Sequence, residues 1–238
     1  MDYKIECVDE FEVMRYLGFR QFRAGELKSR SSAVALTPEV EETLREVRLL
    51  TEEIREIARP RGTFRRVPLS CMENEYYLLN GKLHLPGRSI KNHLKDSREA
   101  ILITGTLGIS IDQHLRSLQV SDIKKAVMSD SVASAAIENI LDQIQADIRS
   151  TLTAGEHLTD RFAPGYGDLP IELNGPLSQL LDTKRRIGLT VTGSGIMIPR
   201  KSILAIIGVA DREQPRFARG CSTCSMNKEC NNNKAGKQ

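Results

Sequence analysis

Arg161-Phe162-Ala163-Pro164-Gly165-Tyr166-Gly167 carries more recognition chemistry than any other stretch of this chain. Arg161 offers a planar fork of donors that suits a carboxylate, and Tyr166 offers a ring with a hydroxyl tip. Pro164 fixes φ and removes an N–H, while Gly165 and Gly167 allow positive φ or a close backbone approach. Together they make a rigid backbone platform beside a carboxylate reader. The same residue types also build plain surface turns, because Pro-Gly pairs mark turns. A second group is Cys221, Cys224 and Cys230, close together near the C-terminus. Three thiolates at this spacing suit zinc or an iron–sulfur cluster, with a fourth ligand from elsewhere. Cys7 and Cys71 are isolated and read as small packing side chains. His84, His93, His114 and His157 show no ligand spacing.

The elements that must position these residues are read from period and punctuation. Glu10–Gly18 reads as a short helix stopped by Gly18. Thr37-Pro38 reads as an N-cap with proline at the first helical position, and Val40, Leu44, Val47, Leu50, Ile54 and Ile57 follow as one apolar stripe. Thr63–Ser70 is strand-like, with Pro68 arguing for an edge. Asn80-Gly81 between two apolar runs predicts a hairpin with a type I′ turn. A short helix is expected over Ser89–Lys95, and Ala100–Thr106 reads as a buried strand leading to a glycine turn. No Gly-Lys-Ser/Thr follows that turn, which speaks against a nucleotide phosphate loop.

Residues 110–118 and 121–150 carry helical patterns. The second has small residues at its centre, Ser131 to Ala136, which let another element approach closely. Glu138 follows that seam; by type alone it is an ordinary solvated glutamate. Gly175-Pro176 opens a helix over Leu177–Arg185. Two short strands flank Gly193-Ser194-Gly195, and Ser202–Ala210 is a strongly apolar strand. Strands and helices come in blocks, so the fold class expected is α+β, antiparallel strands flanked by helices. The divisions expected are 1–36 as an N-terminal helix and connection, 37–215 as the main domain, and 216–238 as a cysteine-containing mobile tail.

Composition narrows the partners. The formal net charge is +3, from 34 basic and 31 acidic residues, too balanced for nucleic-acid binding driven by bulk charge. No apolar run is long enough to span a membrane. The polar opening, Met1 to Glu6, does not read as a secretory signal, so a cytoplasmic location is expected. Lys184-Arg185-Arg186 is either a solvated face or a docking patch for an acidic partner.

Taken in order, these segments resemble the activation (reactivation) domain of cobalamin-dependent methionine synthase, in its free-standing form. Arg15-Tyr16-Leu17-Gly18, Thr106-Leu107-Gly108, the small-residue helix ending in Glu138, and Arg161-Phe162-Ala163-Pro164-Gly165-Tyr166 are similar to that family. So are Leu180-Leu181-Asp182, Gly188-Leu189-Thr190-Val191 and Met197-Ile198-Pro199. The resemblance implies a chain that binds S-adenosylmethionine and positions it for reductive methylation of cob(II)alamin carried by a partner. Arg161 would hold the methionine carboxylate, backbone groups of Ala163, Gly165 and Tyr166 would line the adenosine, and Glu138 would hold the amino group.

The implied partners are a cobalamin-binding methionine synthase subunit or other corrinoid protein, and an electron donor such as flavodoxin or ferredoxin. An acidic residue near the N-terminus also belongs to the family's site; its place in this chain stays open, with Asp9 and Glu10 the candidates. Two departures stand out. Gly193-Ser194-Gly195 replaces a Glu-Ser-Tyr whose ring lies near the adenosine, and the Cys221–Cys230 tail is added. The tail opens an alternative: a corrinoid-docking redox module with a cysteine-ligated metal and no turnover of S-adenosylmethionine.

Overall fold

The structure is a computed structural model that describes residues 1–19 and 37–213. Two strands carry the core, β4 (Ser97–Thr106) and β8 (Ser202–Ala210), paired antiparallel along almost their whole lengths. Alternate side chains of a strand face opposite ways. Ile101, Ile103, Ala205, Ile207 and Val209 therefore enter one apolar cluster, while Ala100, Leu102, Leu204 and Ile206 enter another on the reverse face. Burial on both faces explains why both strands read as near-continuous apolar runs.

The first cluster is closed by helices α1 (Glu10–Tyr16), α2 (Pro38–Ile57), α4 (Ile109–Ser121) and α5 (Ile123–Ser150). The second is closed by α3 (Arg88–Leu94) and α6 (Asn174–Leu181), together with the hairpin strands β2 (Glu75–Leu78) and β3 (Leu83–Leu85). With β1 (Arg61–Met72) and β5 (His157–Leu158), the sheet order is β3-β2-β1-β4-β8-β5, every pair antiparallel, and β6 (Thr190–Val191) and β7 (Met197–Ile198) form a separate pair. The α+β class with antiparallel strands and flanking helices is thus what the chain forms.

Local punctuation matches in most places and differs in three. Thr37 stands at the N-cap of α2 with Pro38 behind it, as its sequence predicts. Pro68 is not on an outer strand. It falls where β1 stops pairing with β4, at Glu99, and starts pairing with β2, at Leu69, so its missing N–H is tolerated at a ladder end. The type I′ geometry expected at Asn80-Gly81 belongs instead to Glu73-Asn74, both at positive φ between the paired residues Met72 and Glu75. Leu79, Asn80 and Gly81 all take positive φ in a wider loop closed by Leu78 and Leu83. The helix expected over Leu177–Arg185 is broken by Asp182, at φ 52°, into α6 and α7 (Thr183–Ile187).

The N-terminal residues belong to the helical layer. Ile5, Val8, Val13 and Met14 are buried in the first cluster. Polar ties run alongside: Tyr3 Oη donates to Asp147 at 2.8 Å, Gln143 donates to the Lys4 carbonyl at 2.8 Å, and the Glu6 N–H donates to Asn139 at 3.2 Å. Residues 139, 143 and 147 are one stripe of α5, so the chain start lies along that helix.

Candidate functional site

Arg161 is placed by its neighbour. Phe162 exchanges two backbone hydrogen bonds with Ile206 of β8, at 2.9 and 2.8 Å, and its side chain packs into the second cluster. Alternation then sends Arg161 and Ala163 to the other side, where Ala163 packs on the first cluster. Arg161 meets α5 there. Its Nη2 lies 3.0 Å from Glu138 Oε2 and 2.9 Å from Asp142 Oδ1. Glu138 and Asp142 are one helical turn apart, so a single guanidinium reaches both.

The Arg161 side chain is only 8% exposed, whereas Glu138 and Asp142 are 45% and 60% exposed. Its Nη1 is buried and has no hydrogen-bond partner. A buried charged donor left unpaired costs free energy, of order 1–3 kcal/mol or more. Such a group points to a ligand acceptor.

The rest of the motif forms a tight, braced loop. Pro164 is buried and Tyr166 is 63% exposed. The Gly165 N–H donates to the Leu169 carbonyl at 2.8 Å, and the Leu169 N–H returns to the Tyr166 carbonyl at 3.0 Å. Gly167 takes φ 55°, and a Cβ there would lie 2.5 Å from Ser89 Oγ. Asp168 fastens the loop to the start of α3, accepting from the N–H groups of Arg88 at 2.7 Å and Ser89 at 2.9 Å. Those bonds, the Ser89 one first, hold its carboxyl below the usual carboxylate range.

Behind the loop, His93 is buried against the Phe162 ring, with centroids 5.1 Å apart, and its Nε2 lies 2.9 Å from both the Asp160 carbonyl and Thr159 Oγ1. Burial lowers the His93 pKa from its ordinary value, partly opposed by the Asp160 carbonyl.

Gly195 occupies the position where the family resemblance leads one to expect a tyrosine. The structure gives a local reason for glycine: φ is 79°, and a Cβ would lie 2.5 Å from the Ile171 carbonyl oxygen. Asn174 holds the turn from the same side, donating to the Gly195 carbonyl at 3.0 Å.

Of the residues singled out from sequence, the structure brings Arg161 and Glu138 into contact and sets Ala163, Gly165 and Tyr166 in the adjoining loop. Asp9 caps α1 through the Phe11 and Glu12 N–H groups, and Glu10 pairs with Arg48. Cys221, Cys224 and Cys230 lie outside the described residues. Among the described residues, no group of three His, Cys, Asp or Glu side chains is arranged to hold a metal ion. Asp142, Asp168 and His93 were not legible as site residues. Only the four-residue spacing of Glu138 and Asp142 beside an apolar stripe could have signalled one of them.

No helix of the described residues is long and apolar enough to cross a membrane. No family model matches the sequence, and no curated protein sequence matches it. The fold has a solved counterpart. A crystal structure of the MetH reactivation domain bound to AdoHcy superposes with a TM-score of 0.66 at 12% identity, covering 90% of this chain and 79% of that one. The chain therefore has the fold of a reactivation domain. At this identity the likeness speaks for architecture.

Proposed function

We propose that this chain binds S-adenosylmethionine at Arg161, where the 161–167 loop meets α5, and presents it to a corrinoid protein for reductive methylation of cob(II)alamin, as in reactivation of methionine synthase. The observation that carries this reading is Arg161: a guanidinium nine-tenths buried, held by two carboxylates, with one nitrogen unpartnered. A ligand carboxylate would complete its hydrogen bonding by a charge-assisted contact. Glu138 and Asp142, both still partly exposed, would hold the ligand's ammonium. The backbone of Ala163, Gly165 and Tyr166 would line the nucleoside. The solved neighbour of the same fold is bound to AdoHcy, which supports the ligand class.

The chemistry served would be transfer of a sulfonium methyl group to a corrinoid after one-electron reduction, with cofactor and electron supplied by partners. This chain would contribute position, with no acid or base of its own.

The test is calorimetric binding of AdoHcy and S-adenosylmethionine to the wild type and to Arg161→Ala. Loss of a charged hydrogen bond worth about 2 kcal/mol weakens binding roughly 30-fold. Unchanged binding in Arg161→Ala would refute the site. Methylcobalamin formation with a corrinoid partner and a reductant tests the second half of the proposal.

A further inference from the structure

A groove of about 370 Å³ runs along α5 on the side of Glu138, and its lining includes Tyr16, Asp130, Ser131 and Ser134. Ser134 precedes Glu138 by one helical turn, a rise of about 6 Å. The groove therefore leads towards the carboxylates that hold Arg161. At this same end Lys201 fastens the wall, with Nζ 2.8 Å from Ser134 Oγ and 2.9 Å from Asp130 Oδ1.

Tyr16 is the aromatic side chain in this lining, and it comes from α1, the element laid against α5 by the N-terminal ties. The ring is held in place. The Arg15 guanidinium sits 4.5 Å from its centroid, and Arg15 is itself anchored by Glu12 at 2.7 Å. Burial, then Glu12, and more weakly Glu138 raise the Tyr16 hydroxyl above its ordinary value, against the opposing effect of Arg15. Tyr16 and Glu138 thus share one electrostatic neighbourhood. On the other flank of the site, the turn at Gly195 has no room for a ring, since the Ile171 carbonyl occupies the Cβ direction.

We infer that Tyr16 is a ligand-binding residue, its ring forming the wall against the amino-acid half of the ligand, next to the ammonium held by Glu138. This rests on the ligand reading above. An aromatic face beside a cation is attractive; Arg15 takes one face of the ring and Glu12 engages the hydroxyl, so the contact left for the ligand is the other face.

The chain has five tyrosines, which makes the test direct. Protein labelled with 3-fluorotyrosine is titrated with AdoHcy, and the Tyr16 resonance is assigned by its absence in Tyr16→Phe. The expected results are a shift of that resonance on saturation, a roughly tenfold higher Kd for Tyr16→Ala, and a Kd within threefold of wild type for Tyr16→Phe. A Tyr16 resonance that stays fixed at saturation overturns the inference, as does a Tyr16→Ala Kd within twofold of wild type. If Tyr16→Ala does not fold, the fluorine shift in the wild type decides alone. Absence of any AdoHcy binding by the wild type would instead remove the ligand reading, and this inference with it.

Discussion

Arg161 concentrates the physical interest of the molecule because its surroundings compensate most, but not all, of its charge. Its two carboxylate partners are partly exposed, and such pairs are individually weak, about 0–1 kcal/mol. The guanidinium is not exposed, so removing both partners strands a buried cation. Glu138→Gln and Asp142→Asn should each cost about 1 kcal/mol in urea unfolding, and the double variant clearly more than their sum. An additive cycle would show that water already compensates Arg161.

His93 makes a second prediction at this scale. Its folded pKa lies below the value of about 6.5 it has when unfolded, so the folded form resists protonation. The unfolded chain then binds more protons as pH falls below about 6.5, and stability is lost from there down towards the folded-state value; above that range His93 contributes no slope. The melting temperature of the wild type should fall between pH 6.5 and 5 more steeply than that of His93→Gln.

Among elements, the 161–169 loop and α3 form one braced unit. Gly167 needs a left-handed φ and its Cβ direction points at Ser89 Oγ, while Asp168 satisfies the first N–H groups of α3. Gly167→Ala should therefore destabilise by about 1–3 kcal/mol in denaturant unfolding, from backbone strain and crowding together. Adding Ser89→Ala should return only part of the crowding, because the Ser89 Cβ itself would lie 2.9 Å from the new methyl.

This unit also marks the limit of what the sequence discloses. The long helices were legible because α2 and α5 carry apolar stripes of period near 3.6, and β4 and β8 because burial on both faces makes them apolar throughout. A family resemblance placed Arg161 and Glu138 at two ends of one ligand, but their direct contact was not legible, since Glu138 by type is an unremarkable helical glutamate. Asp168 as a cap for α3 links residues 80 apart in sequence, and no local pattern encodes that. The turn at Glu73-Asn74 was missed because it reaches positive φ without glycine.

For the whole molecule, α5 is the shared beam. It covers the sheet through Val132, Ala136, Ile140 and Ile144, holds the N-terminal chain through Asn139, Gln143 and Asp147, and presents Glu138 and Asp142 to Arg161. A chain lacking residues 1–19 would expose the apolar surface that now receives Ile5, Val8, Val13 and Met14. Each fully buried side chain of this kind is worth about 1.5–3 kcal/mol. Such a truncation should lower the melting temperature by more than ten degrees and should bind a hydrophobic dye, as circular dichroism and dye fluorescence would report. Melting unchanged within a few degrees would mean that the N-terminal segment is dispensable to the core.

The backbone exchange between Phe162 and Ile206 has one more consequence. It makes Arg161 an outgrowth of the core strand β8, so the proposed ligand contact has no existence apart from the assembled sheet. Anything that Arg161 holds is held by the native state alone, and free ligand then acts as a thermodynamic weight on folding. At a hundredfold excess over Kd that weight is about 2.7 kcal/mol. On the proposed function, S-adenosylmethionine or AdoHcy should therefore raise the melting temperature with no corrinoid or electron donor present.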